Sequence, residues 1–172
     1  QTAAAIFATL ILPNLSQSHN GPHSSVHDTV AGILNRFKAT LSTDEVVSID
    51  LAKARSLLTI NEKHILSHEH ITFHVNIPVK VFIIRDASMG DKPFWLKDRD
   101  FKPLGLKFKI QNRNVDFWVK DFEAGRISLG INSLSGNDHH YGVALMPLKS
   151  NPKLEVTKMY PGQLRTAPMK VG

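Results

Sequence analysis

The spacing of apolar residues changes period near Ser67, and the change divides the chain into a helical part and a strand part. From His70 to Val81 the alternation is unbroken: Ile71, Phe73, Val75, Ile77, Val79 and Val81 take one side, His70, Thr72, His74, Asn76, Pro78 and Lys80 the other. Strand side chains point alternately to opposite faces, so the pattern predicts one long, half-buried strand over 69–84. Pro78 has no amide hydrogen for a ladder, so the strand should lie at an edge or bend there. One dry face and one wet face predict an antiparallel sheet resting on a partner layer.

Upstream the repeat is helical. Val26, Val30, Ile33, Leu34, Phe37 and Leu41 predict a helix over 26–41, with Ser25-Val26-His27-Asp28 at capping-box spacing ahead of it. Ser42-Thr43-Asp44-Glu45 offers a second cap, followed by one or two short helices over 43–58. Thr59-Ile60-Asn61-Glu62 opens a further turn ending near Leu66. Downstream, Leu106, Phe108 and Ile110 alternate, as do Val115, Phe117 and Val119, then Ile127, Leu129 and Ile131, then Tyr141, Val143 and Leu145. Turn signals at Asn112–Asn114, Ala124-Gly125 and Ser135–Asp138 separate these runs. Short strands at this spacing predict a mainly β fold, an antiparallel immunoglobulin-like β-sandwich preceded by short N-terminal helices.

The expected organisation is an apolar segment and linker over 1–25, a helical prefix over 26–66, a β-sandwich over 67–148, and a connector to a downstream domain over 149–172, within which Leu154–Met159 offers the start of another strand. Two readings of the apolar stretch Thr2–Leu12 stand side by side: a remnant of an export signal, or an apolar helix docked on the domain. The stretch is too short to span a bilayer.

Composition narrows the function. A chain of 172 residues with 42% hydrophobic content can bury a full core. The net charge is +6, but the 21 lysines and arginines are scattered, which predicts a solvated basic surface rather than a groove that tracks phosphates. Nucleic acid is therefore not the expected partner. There is no cysteine, so disulfides, thiolate metal sites and cysteine nucleophiles are excluded.

Nine histidines raise the question of metal. On a strand, His68, His70 and His74 share a face, which would suit zinc or copper; simple exposure of a wet face is the blander reading. His19, His23 and His27 are spaced four apart, but Gly21-Pro22 breaks the helix that spacing needs. Gly136-Asn137-Asp138-His139 echoes a Gly-Asn-His-Asp/Glu metallophosphoesterase motif in the wrong order, and reads as a hairpin turn. Trp95, Trp118 and Tyr141 are candidates for a glycan-stacking platform, set against ordinary burial in a core. Asp98 with Asp100, and Asp116 with Asp121, lie among basic residues and predict salt bridges. No nucleophile elbow or glycine-rich phosphate loop occurs, and no residue is assigned a catalytic role.

Several segments together carry a family likeness: Val26–Val30 running to Arg36, HITFHVNIPVKVFIIRD at 70–86, FWLKDRDF at 94–101, FWVKDFEAGRISLGINSL at 117–134, HHYGVAL at 139–145 and MYPGQLRTAPMKVG at 159–172. The set resembles the non-catalytic region preceding the catalytic domain of bacterial secreted metallophosphoesterases of the purple acid phosphatase type. The resemblance implies a secreted or periplasmic parent whose two-metal centre lies in a downstream catalytic domain. It implies no cofactor in this chain, since the ligands of that centre have no counterparts here.

Overall fold

The computed structural model describes residues 6–13, 25–90, 92–133, 140–150, 152–162 and 164–171. His19, His23 and the Gly136–His139 segment lie outside these residues, as does most of the expected 14–27 linker. Ten strands and five helices follow in chain order: β1 (Ile6–Pro13), α1 (Ser25–Thr40), α2 (Thr43–Ser48), α3 (Leu51–Ser56), α4 (Ile60–His68), β2 (Ile71–Val75), β3 (Val79–Asp86), α5 (Trp95–Asp98), β4 (Lys102–Pro103), β5 (Phe108–Ile110), β6 (Arg113–Phe122), β7 (Gly125–Leu129), β8 (Gly142–Pro147), β9 (Val156–Tyr160) and β10 (Leu164–Val171). They form a mainly antiparallel β structure of two sheets. The larger has the order β10-β1-β8-β3-β6-β4, with β5 also on β6; the smaller has the order β7-β2-β9.

Both sheets turn apolar side chains onto one shared core. The small sheet contributes Phe73, Val75, Ile127 and Leu129; the large sheet contributes Val79, Val81, Ile83, Trp118, Val143, Leu145 and Ile11. This corrects the single strand expected over 69–84. The alternation is continuous, but the chain changes sheets at Asn76-Ile77-Pro78, so β2 and β3 belong to different layers. The pattern runs straight through the corner because both layers face the same core. Asn76 fixes the bend: its side chain donates to the Lys153 carbonyl at 2.9 Å and accepts from the Glu155 amide at 2.7 Å. Pro78, without an amide hydrogen, still accepts from Leu148 N at 3.1 Å.

The two ends of the chain also depart from expectation. Residues 6–13, expected as an export-signal remnant or a docked helix, form β1, between β10 and β8 in the large sheet. Within the expected connector, β9 answers the strand expected to start at Leu154–Met159 and pairs with β2, while β10, which was not expected, pairs with β1 over eight positions. Val156, Met159 and Leu164 pack against the core, which supplies the reason. Pro168 is accommodated because β10 is an edge strand, where a missing donor costs little.

The helices form a second cluster, with Val26, Ile33, Phe37, Leu58 and Leu66 packed around Ile131. The capping boxes Ser42/Glu45 and Thr59/Glu62 are both present, each satisfying two amides at a helix start. Asp50 caps α3 through the Lys53 amide at 2.7 Å. Arg36 of α1 ties the layer together, bonding Glu62 at 2.8 Å and the Leu57 carbonyl at 3.0 Å. Val30 and Leu34, expected on the buried stripe, lie on the exposed side instead.

Helical layer and sheets meet at Gly130-Ile131, just after β7. Ile131 N donates to the Leu66 carbonyl at 2.8 Å, and the Trp95 indole N–H donates to the Ile131 carbonyl at 2.8 Å. The Tyr141 hydroxyl donates to the Gly130 carbonyl. Trp95 lies edge to face with Phe101 and Tyr141, at 5.5 and 5.8 Å between ring centres. Arg99 spans the same junction, donating to the Ser67 carbonyl at 2.7 Å. A side chain at position 130 has no room: its Cβ would overlap the Trp95 indole and lie 2.7 Å from the Leu66 carbonyl oxygen. Gly130→Ala is therefore expected to destabilise the chain by about 2–3 kcal/mol through overpacking. Urea unfolding followed by tryptophan fluorescence measures it; an unchanged midpoint would show that the junction gives way freely.

Candidate functional site

The residues singled out for chemistry do not come together as expected. Trp95, Trp118 and Tyr141 are 0%, 4% and 5% exposed, so none offers an open ring face to a sugar. The Trp118 ring is additionally capped by Lys92 Nζ at 5.3 Å from its centre. The Tyr141 phenol is wholly enclosed, and burial pushes its pKa well above the ordinary value. The aromatic set is a core, not a platform.

The histidine set also separates. His68 is the last residue of α4 and stacks on His64 at 4.4 Å. His74 sits in the middle of β2, opposite Arg126 on β7 and Thr157 on β9. The shared face presumed a strand through 68, and the helix ends there instead. Among the described residues, no group of three or more His, Asp or Glu side chains converges in a way that could hold a metal ion.

What the fold does bring together is His70 with His140, which precede β2 and β8 and are 70 residues apart in sequence. Their Nε2 atoms are 2.8 Å apart and their ring centres 5.0 Å apart, so the two rings meet edge to edge through these nitrogens. His140 Nδ1 lies 2.7 Å from the Tyr141 carbonyl oxygen. Tyr141 is anchored on Gly130, and the His70 amide donates to the Leu129 carbonyl, so the aromatic junction places both imidazoles. Burial, with His140 as a second cause, lowers the His70 pKa to about 4. Burial also lowers that of His140, against the opposing influence of the Tyr141 carbonyl. Both shifts favour the neutral ring.

Beside the pair lies a small cavity of about 20 Å³ lined by Arg85, Asp86, Met89, Asn132, His140 and Tyr141. Its floor is polar. Arg85, only 4% exposed, bonds Asp116 at 3.0 Å and the Met89 carbonyl at 2.9 Å. The other acids noted in the sequence form surface bridges: Asp98 with Arg55 at 2.7 Å, Asp121 with Lys80 at 2.6 Å, and Asp100 with Lys102 at 3.9 Å. A separate depression of about 310 Å³ runs between α3 and the 92–98 segment, lined by Leu51, Arg55, Lys92, Phe94 and Lys97 among others.

The fold defines a class, a two-sheet, mainly antiparallel domain with a helical layer. Comparison of the chain with protein-family models, with curated proteins and with solved structures returns no match. Among the described residues no helix is long and apolar enough to cross a membrane.

Two outcomes follow from this geometry. His70 has a folded pKa below its unfolded value of 6.5, so its contribution to stability is full above pH 6.5 and is lost as pH falls toward 4. The loss is at most about 3 kcal/mol. Urea midpoints at pH 7.5 and 4.5, with chelator present, should fall more steeply for the parent than for His70→Gln; equal slopes would remove the effect. Separately, Asp116→Ala removes the carboxylate to which Arg85 donates at 3.0 Å and should cost about 2 kcal/mol, whereas Arg85→Met with Asp116→Leu should recover most of that loss. Thermal unfolding of the single and double variants reads the difference.

Proposed function

We propose that this chain is a non-catalytic, immunoglobulin-like β-sandwich domain of a secreted or periplasmic metallophosphoesterase of the purple acid phosphatase type, with a structural and positioning role. The two-metal centre of such a protein would belong to its catalytic domain, which is the expected partner. The observation that carries the reading is the outer face of the large sheet. On β3 the odd positions fill the core, so Phe82 and Ile84 point outward. Phe117 stands beside them, 6.4 Å from Phe82 and 5.0 Å from Phe108 between ring centres. Leu106, Phe108 and Ile110 extend the patch at 55%, 41% and 46% exposure. An antiparallel sheet that faced water would be polar on this side, and a contiguous apolar patch of this kind suits contact with another protein layer. Charged pairs at the margin, Lys80 with Asp121 and Arg113 with Asp86, match the polar rim of such a contact.

The resemblance supports the same reading. The segments that carry it supply the packing junction: Trp95, Arg99 and Phe101 from FWLKDRDF, Gly130 and Ile131 from FWVKDFEAGRISLGINSL, Tyr141 from HHYGVAL. A glycan-binding role loses its support with the burial of Trp95, Trp118 and Tyr141.

The purified chain, assayed against a phosphomonoester with zinc, manganese or iron, is expected to release no phosphate above the metal blank; robust turnover would end the proposal. A phosphoesterase domain of this type, titrated with the chain, should bind the parent, and Phe108→Asp should weaken that binding by roughly tenfold or more. Equal binding by the variant would take the contact away from this face.

A further inference from the structure

The proton inventory of the histidine pair leads to a site. The Tyr141 carbonyl oxygen only accepts, so the proton between it and His140 belongs to His140 Nδ1. The Nε2 of His140 then carries a lone pair, and the one proton between the two Nε2 atoms sits on His70. If that proton moves to His70 Nδ1, both Nε2 atoms carry lone pairs, facing each other along the line between the rings. We propose that His70 and His140 form a two-imidazole site for a divalent transition-metal ion, copper(II) in preference to zinc(II), with water completing the coordination.

Imidazole nitrogens hold such ions at about 2.0–2.1 Å. Two nitrogens at that length and 2.8 Å apart subtend about 85–90° at the ion, the angle between neighbouring ligands of tetragonal copper(II). Tetrahedral zinc would require them to part by about 0.5 Å. The His140 Nδ1–H held by a backbone carbonyl is the outer hydrogen bond that commonly fixes a ligating imidazole and its tautomer. His140 is exposed, which gives an ion a way in. Binding needs a shift of tautomer on His70 and a turn of both rings away from the line between their Nε2 atoms, with no net release of protons. His64 and His68 provide the contrast, for they stack face to face at 4.4 Å. The site is independent of the phosphoesterase reading.

Calorimetric titration of the full chain with copper(II) chloride tests it. A single binding step is expected, weakened by roughly tenfold or more in both His70→Gln and His140→Gln, since affinity follows the ligand set, and unchanged in His64→Gln. Thermal unfolding without metal shows whether the variants are folded. Imidazole ¹⁵N spectra of the unaltered chain titrated with zinc chloride give a reading that needs no variant: the Nε2 signals of His70 and His140 should move first. Absence of copper binding, equal binding by the folded glutamine variants, or Nε2 signals that stay in place at saturating zinc would each overturn the site.

Discussion

The seating of Trp95 against Gly130 is the constraint on which the rest of the molecule depends. A large indole and a backbone without a side chain occupy the same few ångströms, and both peptide carbonyls at 130 and 131 are taken, one by the Tyr141 hydroxyl and one by the indole N–H. A buried carbonyl left without a donor would cost about 1–3 kcal/mol. The junction therefore holds α4, α5, the end of β7 and the approach to β8 in one arrangement. It also sets the positions of His70 and His140, because each hangs from a residue tied to it.

The basic residues around this junction are used for packing as much as for solubility. Arg99 lies over the Trp95 ring at 5.6 Å while bonding the Ser67 carbonyl, and burial lowers its pKa. Lys120 reaches inward, donating to the Arg99 carbonyl at 2.6 Å and resting near the Phe101 and Phe122 rings. Cations over aromatic faces add modestly to stability and tolerate burial better than isolated charges. The positive charge of the chain is thus partly internal structure.

The large sheet is apolar on both faces, and this separates the molecule from a sheet designed to meet water. Its inner face fills the core with Val79, Val81, Ile83 and Leu145; its outer face carries Phe82, Ile84 and Phe117. The proposed positioning role would use such a surface.

Much of the architecture was legible because it rests on local periodicity and caps. The strand alternation, the helical stripe through Ile33 and Phe37, and the capping boxes at Ser42 and Thr59 are all properties of neighbours in sequence. The corner at Asn76 was not legible, because a strand that changes sheets around one core keeps its alternation. The sheet partners of residues 6–13 and 164–171 were not legible either, since β1 and β10 meet from opposite ends of the chain. For the candidate site, each histidine could be counted, but only long-range packing brings His70 to His140 and leaves His68 and His74 apart. The sequence by itself determined which residues seek the interior and where regular structure begins. Tertiary structure decided which strands pair, which face of the sheet stays uncovered and which imidazoles meet, because those outcomes depend on contacts between residues that chain connectivity does not hold near one another.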